Sequence, residues 1–246
     1  MKASYTLLGI LLVLPLLGCS TTKKTPTQDL LANRPNLDAN HGAELSPEKS
    51  AELCSVTAQL LEQDGHLNEA LLLYRKSQLQ DQKNALYPHR IAVLYSQLGR
   101  NDLAEENFRQ SIALDSENPQ LLNDFGYFLY RKGQLAESEK FLRAAVASNP
   151  EGMQEKNNLA LVLAHQDKYD EAFAMFSQTC GEAAAHSNIG LILAQKGRLP
   201  EARAALNDAI SQSPSMAQAH AALQHLDSID DGSITMQASH TNSVLR

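Results

Sequence analysis

Pro119–Gly152 reads PQLLNDFGYFLYRKGQLAESEKFLRAAVASNPEG, with an apolar pattern of helical period on each side of Gly133. Phe125 and Leu129 before the glycine and Leu142 after it fall on one face of each of two helices. The short side chains of Gly126, Ser138 and Ala145 lie between them, where two antiparallel helices must approach closely. Pro119 opens the stretch and Pro150 lies near its end, where a missing N–H is tolerated. The central glycine suits a left-handed cap that ends the first helix. The stretch predicts a helical hairpin.

The same pattern extends outward in both directions. Gly65, Gly99 and Gly133 are spaced by 34 residues, Asp167 holds the next such place, and Gly197 follows 30 residues later. One repeat has therefore lost four residues. With the glycine set at position fifteen, repeats cover about 51–84, 85–118, 119–152, 153–182 and 183–216. Position eight reads Ala58, Ala92, Gly126, Ala160, Gly190, and position twenty reads Ala70, Ala104, Ser138, Ala172, Ala202. Both columns are small and mark the crossing inside each hairpin. Position twenty-seven (Ser77, Ser111, Ala145, Thr179, Ala209) is expected to do the same between one hairpin and the next. Thr57 interrupts the large apolar residues of position seven, which marks the first repeat as an atypical N-terminal cap. Ser46-Pro47-Glu48 supplies a helix start before it. A capping helix is expected over 217–229, because end repeats must cover an exposed core, and a loose tail over 230–246.

These residues resemble the tetratricopeptide repeat, whose pattern is W-x₂-L-G-x₂-Y…A-x₃-F…P over 34 positions. The second repeat carries Ile91-Ala92-x₂-Tyr95 and Ala104-x₃-Phe108; the fifth carries Ile189-Gly190-x₂-Leu193, Ala202-x₃-Leu206 and Pro214. No repeat has tryptophan at position four, and the chain has none. The resemblance implies an all-α fold, a right-handed superhelical solenoid of antiparallel helix pairs closed by a C-terminal capping helix, with one repeat domain over 46–229.

The amino terminus is of another composition. Lys2 is the only charged residue before Cys19, and an apolar run extends from Leu7 to Leu17. The run is too short to span a bilayer and reads as an export signal over 1–18. Leu16-Leu17-Gly18-Cys19 resembles the lipobox of bacterial lipoproteins, which implies cleavage before Cys19 and acylation of that residue. Two or more acyl chains anchor stably where one does not. Ser20, rather than Asp, after the cysteine goes with outer-membrane sorting in that family. Residues 19–45, polar and without apolar period, read as a flexible lipidated tether.

Composition narrows the partners. A net charge of −7 argues against nucleic acid, which requires clustered Lys and Arg. Cys54 and Cys180 lie in distant repeats and read as packed thiols. Eight histidines include no His-Glu-x-x-His pair, and Asp227–Gly232 lacks the ligands of a calcium loop. No phosphate loop, nucleophile elbow or metal cluster is present in the sequence, so neither an enzyme nor a cofactor nor a small-molecule substrate is expected.

What remains is surface. Resemblance to peptide-binding members of the family points to positions two, five, six, nine, twelve and thirteen of the first helices. In this chain they include Arg90, Asn123, Tyr127, Arg131, Asn157, Asn158, Leu161, Ser187, Asn188 and Leu191, beside His89, Val93, Asp124, Tyr130, His165 and Gln195. An asparagine amide both donates and accepts, so it can pair with an extended peptide backbone of any sequence. Asn123-Asp-Phe-Gly-Tyr-Phe-Leu-Tyr is similar to the first helices of type IV pilus biogenesis lipoproteins. Asn157-Asn-Leu-Ala-Leu-Val-Leu, the shortened fourth repeat and Ser187-Asn-Ile-Gly resemble Flp/Tad pilus assembly lipoproteins. That resemblance implies a lipid-anchored scaffold for protein partners on the periplasmic face of the outer membrane. Scaffolding of peptidoglycan enzymes and assistance to outer-membrane protein assembly stay open.

Overall fold

A computed structural model describes residues 45–230, and every regular element among them is an α-helix. They are α1 Pro47–Gln63, α2 Leu67–Gln80, α3 Leu86–Gln97, α4 Asn101–Leu114, α5 Pro119–Arg131, α6 Leu135–Ser148, α7 Met153–His165, α8 Tyr169–Cys180, α9 Glu182–Gln195, α10 Leu199–Gln212 and α11 Ala217–Asp230. The expected leader, Cys19, the tether up to Glu44 and the tail beyond Asp230 lie outside the described residues.

Helix starts and stops follow the local chemistry. Ser46 caps α1, its hydroxyl accepting from the Lys49 N–H at 3.3 Å, with Pro47 in the first turn. The turn inside each hairpin is the same structure repeated. Gly65, Gly99, Gly133 and Gly197 have φ between 72° and 80°, and the following residue's N–H bonds back five residues, as from Arg100 to Tyr95 at 2.8 Å. This is the Schellman motif. Asp167 adopts the same conformation at φ 65°, the one non-glycine residue with positive φ among the described residues.

Hairpins α1–α2, α3–α4, α5–α6 and α9–α10 are closely packed pairs. A Cβ on Gly126 would lie 2.6 Å from Leu142 Cγ, and one on Gly190 2.8 Å from Leu206 Cγ, so position eight is the point of closest approach. Ser138 Oγ donates to the Gly126 carbonyl at 2.6 Å across the same crossing. Position twenty-seven behaves differently from its expectation. Ser77 Oγ donates to the Ala51 carbonyl at 2.8 Å and Ser111 Oγ to that of Ala85 at 2.9 Å, each within its own repeat. The hydroxyl closes its own hairpin because the second helix ends beside the start of the first.

The described residues fall into two compact units, divided between Thr179 and Cys180. The division coincides with the missing four residues. Four or five residues join α2 to α3, α4 to α5 and α6 to α7, whereas Gly181 alone, at φ 84°, joins α8 to α9. The first unit holds α1–α7 and most of α8; its core runs through Tyr74, Ile91, Leu94, Phe108, Phe125 and Leu129. Phe108, Phe125, Phe128 and Phe141 form an aromatic cluster, with Phe125 and Phe141 edge to face at 4.7 Å between centroids. The second unit packs α11 on α9 and α10 through Ala219, Ala222 and Leu226.

Candidate functional site

First helices of successive repeats lie side by side in the first unit, and α1, α3 and the start of α5 line an open cavity of about 480 Å³. Gln59, Glu62 and Gln63 line it from α1, Leu86, His89, Arg90 and Gln97 from α3, and Gln120 from α5. All of them occupy positions two, five, six, nine, twelve or thirteen. A second cavity of about 380 Å³ shares Leu86, His89 and Gln120 and continues to Lys83, Asn84, Asp115 and Asn118. Together they make one groove across α3.

The groove is polar and nearly neutral. Arg90 is ion-paired with Glu62, and Tyr74 OH donates to Glu62 Oε2 at 3.4 Å. Burial disfavours the Arg90 charge, but the hydrogen bond and charge of Glu62 outweigh it and hold the guanidinium charged. Burial, with Glu62 adding to it against Arg90, pushes the Tyr74 phenol up to about 12, so it stays a donor. Arg90 Nε is buried without a partner. Four glutamine amides line the rest, each able to donate and accept.

Sequence-expected residues divide by burial. Tyr127 and Arg131 are exposed; Arg90, Asn157, Asn158 and Leu191 are half-buried; Asn123, Leu161, Ser187 and Asn188 are buried. The reason for Asn123 is a bond between repeats. Asn158 Nδ2 donates to Asn123 Oδ1 at 2.9 Å, and Asn123 Nδ2 donates to Asp124 Oδ1 at 3.2 Å. Asn157 Oδ1 accepts from Thr179 Oγ1. In the second unit, Asn188 Nδ2 donates to Cys180 Sγ at 3.9 Å, while Asn188 Oδ1 and Ser187 Oγ have no hydrogen-bond partner. These amides join helices, and Asn157 and Asn158 keep part of their surface exposed.

A second exposed feature lies on α5 and α7. The rings of Tyr127 and Tyr130 are 5.9 Å apart, those of Tyr130 and His165 5.2 Å, and Tyr130 OH lies 2.9 Å from His165 Nε2. Tyr127 is 41% exposed beside Arg131, the pairing of aromatic and cation that protein interfaces favour.

Gln59, Glu62, Gln63, Gln97 and Gln120 were not among the sequence-expected residues. The positional rule that selected Asn123 and Tyr127 covers them: Gln59, Glu62 and Gln63 lie in the first repeat, which Thr57 marks as a cap, whereas Gln97 and Gln120 hold positions thirteen and two of the second and third repeats. Cys54 and Cys180 are half-buried and not joined by a disulfide. Among the described residues no group of three His, Cys, Asp or Glu could hold a metal, and no helix is long and apolar enough to cross a membrane.

Tetratricopeptide repeat family models match residues 89–152 with 181–217, and 156–180, together just over half of the chain. Over 119 residues the chain is 29% identical to the type IV pilus assembly protein PilF of Pseudomonas aeruginosa. The match covers 48% of this chain and 47% of PilF, so it spans about half the length of that relative. Among solved structures, Pseudomonas aeruginosa PilF superposes with a TM-score of 0.58 at 19% identity, covering 80% of this chain and 100% of that one. PilW, described as a widely conserved type IV pilus biogenesis factor, gives 0.59 at 20%, covering 80% and 98%. YrrB, described as a TPR protein with an unusual peptide-binding site, gives 0.57 at 24%, covering 71% and 92%. At these identities the structural likeness is one of fold.

Proposed function

The chain belongs to the tetratricopeptide repeat family, and on that premise we propose that it is a non-enzymatic adaptor of the cell envelope, serving assembly of a pilus or secretion complex. Its similarity to PilF over 119 residues is the observation that carries this reading. The groove across α3 supplies a means. Paired donors and acceptors on four glutamines suit the main chain of an extended partner segment, and the neutralised Glu62–Arg90 pair leaves no strong charge preference. Tyr127 and Arg131 extend the contact along the first helices.

Within this proposal Cys19 carries the lipid, residues 19–45 form the tether, and the repeats face the periplasm from the outer membrane. Cys19→Ala is expected to release the protein from the membrane fraction. A variant that still partitions into detergent with that fraction overturns the anchor.

The partner is tested with a photo-crosslinking residue at Gln63 or Gln97, irradiated in the native envelope and followed by mass spectrometry. Pilins, secretins or other pilus-assembly components are expected. Recovery of peptidoglycan hydrolases or outer-membrane assembly factors alone overturns the pilus reading in favour of those scaffolding roles.

A further inference from the structure

Terminal repeats of a solenoid keep a polar outer face, since nothing stacks on them. Helix α1 does the opposite. Leu53 is 58% and Leu60 53% exposed, at positions three and ten. In the second and third repeats the same positions hold Tyr87 and Leu94, and Leu121 and Phe128, all buried. Thr57, at position seven between the leucines, is also exposed where Ile91 and Phe125 are buried. Its hydroxyl donates to the Leu53 carbonyl at 2.9 Å, so burying it would strand no donor. The face is built like one that receives another helix.

Its pattern says which helix. Lys49, Leu53, Val56 and Leu60 follow one another by four, three and four residues, the spacing of a coiled-coil seam, and Asp64, at the C-cap, lies one turn beyond Leu60. Lys49 and Asp64 are both exposed, at opposite ends. An antiparallel copy of the same helix sets Leu53 against Leu60, Val56 against Thr57, and Lys49 against Asp64, twice over by symmetry. A parallel copy would oppose lysine to lysine and aspartate to aspartate. We propose that α1 is the contact of an antiparallel homodimer, in which a second copy of this chain covers Leu53 and Leu60 and the Lys49–Asp64 pairs fix the orientation.

The test uses the full-length chain expressed in its envelope, with Cys54 and Cys180 replaced by serine. Thr57→Cys, next to the two-fold axis, is expected to give a covalent dimer with a short bis-maleimide crosslinker. Ala147→Cys, exposed on α6, serves as control and is expected to give none. Adding Leu53→Glu and Leu60→Glu should abolish the crosslink. Lys49→Glu should weaken it about tenfold or more, and Lys49→Glu with Asp64→Lys should restore it. Circular dichroism of each purified variant separates loss of contact from loss of fold. The proposal is overturned by absence of the Thr57→Cys crosslink, the outcome if residues before Leu45 cover the face. Equal crosslinking at Ala147→Cys, or no rescue by the charge exchange in folded protein, overturns it too.

Discussion

His89 of α3 and Asp124 of α5 stand 35 residues apart in the chain and 2.9 Å apart in space, Nε2 to Oδ2. Asn123 and Asn158 repeat the relationship at 2.9 Å with the same step of 35. Position five of one repeat thus bonds position six of the next, so the polar side chains beside the groove also hold successive first helices together. His89 is almost fully buried and flanks Phe108 at 6.1 Å. His89→Ala is therefore expected to cost about 1–3 kcal/mol, from lost packing and from the loss of the His89 partner of Asp124 Oδ2, while Oδ1 keeps its bond from Asn123. Asp124→Asn, which keeps an acceptor, should cost less than half as much. Urea unfolding followed by circular dichroism measures both, and equal losses would refute the bond's role.

The second unit breaks this relationship, and the break can be repaired. The same step of 35 leads from Ser187 to Ala222, and α9 contacts α11, but alanine offers no polar group. Ser187 Oγ is accordingly buried without a partner. Ser187→Ala is expected to be neutral or to stabilise by up to about 1 kcal/mol, since it removes an unsatisfied hydroxyl. Ser138→Ala, which deletes a made bond to the Gly126 carbonyl, should instead cost about 1 kcal/mol. Thermal melting of the two variants tests the contrast, and a loss at Ser187 equal to that at Ser138 would sink it.

The repeat frame was legible in the sequence because its markers are backbone constraints. Gly99 and Gly133 need φ > 0 and Gly126 meets Leu142, and neither requirement depends on which repeat lies next door. The groove was harder to read. Whether Asn123 faces a ligand or a neighbour is decided by Asn158, 35 residues away, and the sequence carries no mark of that choice. Thr57 did signal an unusual first repeat. Its reading as a cap turned attention from Gln59 and Gln63 of the groove and from the exposed Leu53 and Leu60 on the same helix.

Positions fifteen and eight separate conformational strain from crowding. Asp167 holds φ 65° where the other repeats use glycine. Asp167→Gly is expected to stabilise by about 0.5–1 kcal/mol, less whatever is lost with the Tyr169 hydroxyl bond to Asp167 Oδ1 at 2.6 Å. Gly126→Ala should destabilise by about 1–3 kcal/mol, because Leu142 must move from its packed rotamer. Opposite signs in melting temperature are the expected result. A stabilising Gly126→Ala would show that the hairpin crossing has slack.

Acid should weaken the first unit through two carboxylates on the second helices. Lys132 and then Arg109 hold Glu105 below the usual carboxylate range by hydrogen bonding to it. At Glu139 burial acts upward, but hydrogen bonds from Lys168 and Arg143 outweigh it and the net shift is again downward. Arg109 also reaches Glu137, and Arg143 reaches Glu171, at 2.9 and 2.7 Å, so the pairs tie α4 to α6 and α6 to α8. A carboxylate depressed in the folded state stabilises above its unfolded value, and the contribution disappears as pH falls through the folded one. Melting temperature is therefore expected to hold steady near neutrality and decline below about pH 5. Glu105→Gln with Glu139→Gln should melt lower at neutral pH by a modest margin, since each pair is partly solvated and worth no more than about 1 kcal/mol. The variant's acid decline should be shallower, so that the two curves converge at low pH. Parallel declines would mean that other carboxylates carry the acid sensitivity.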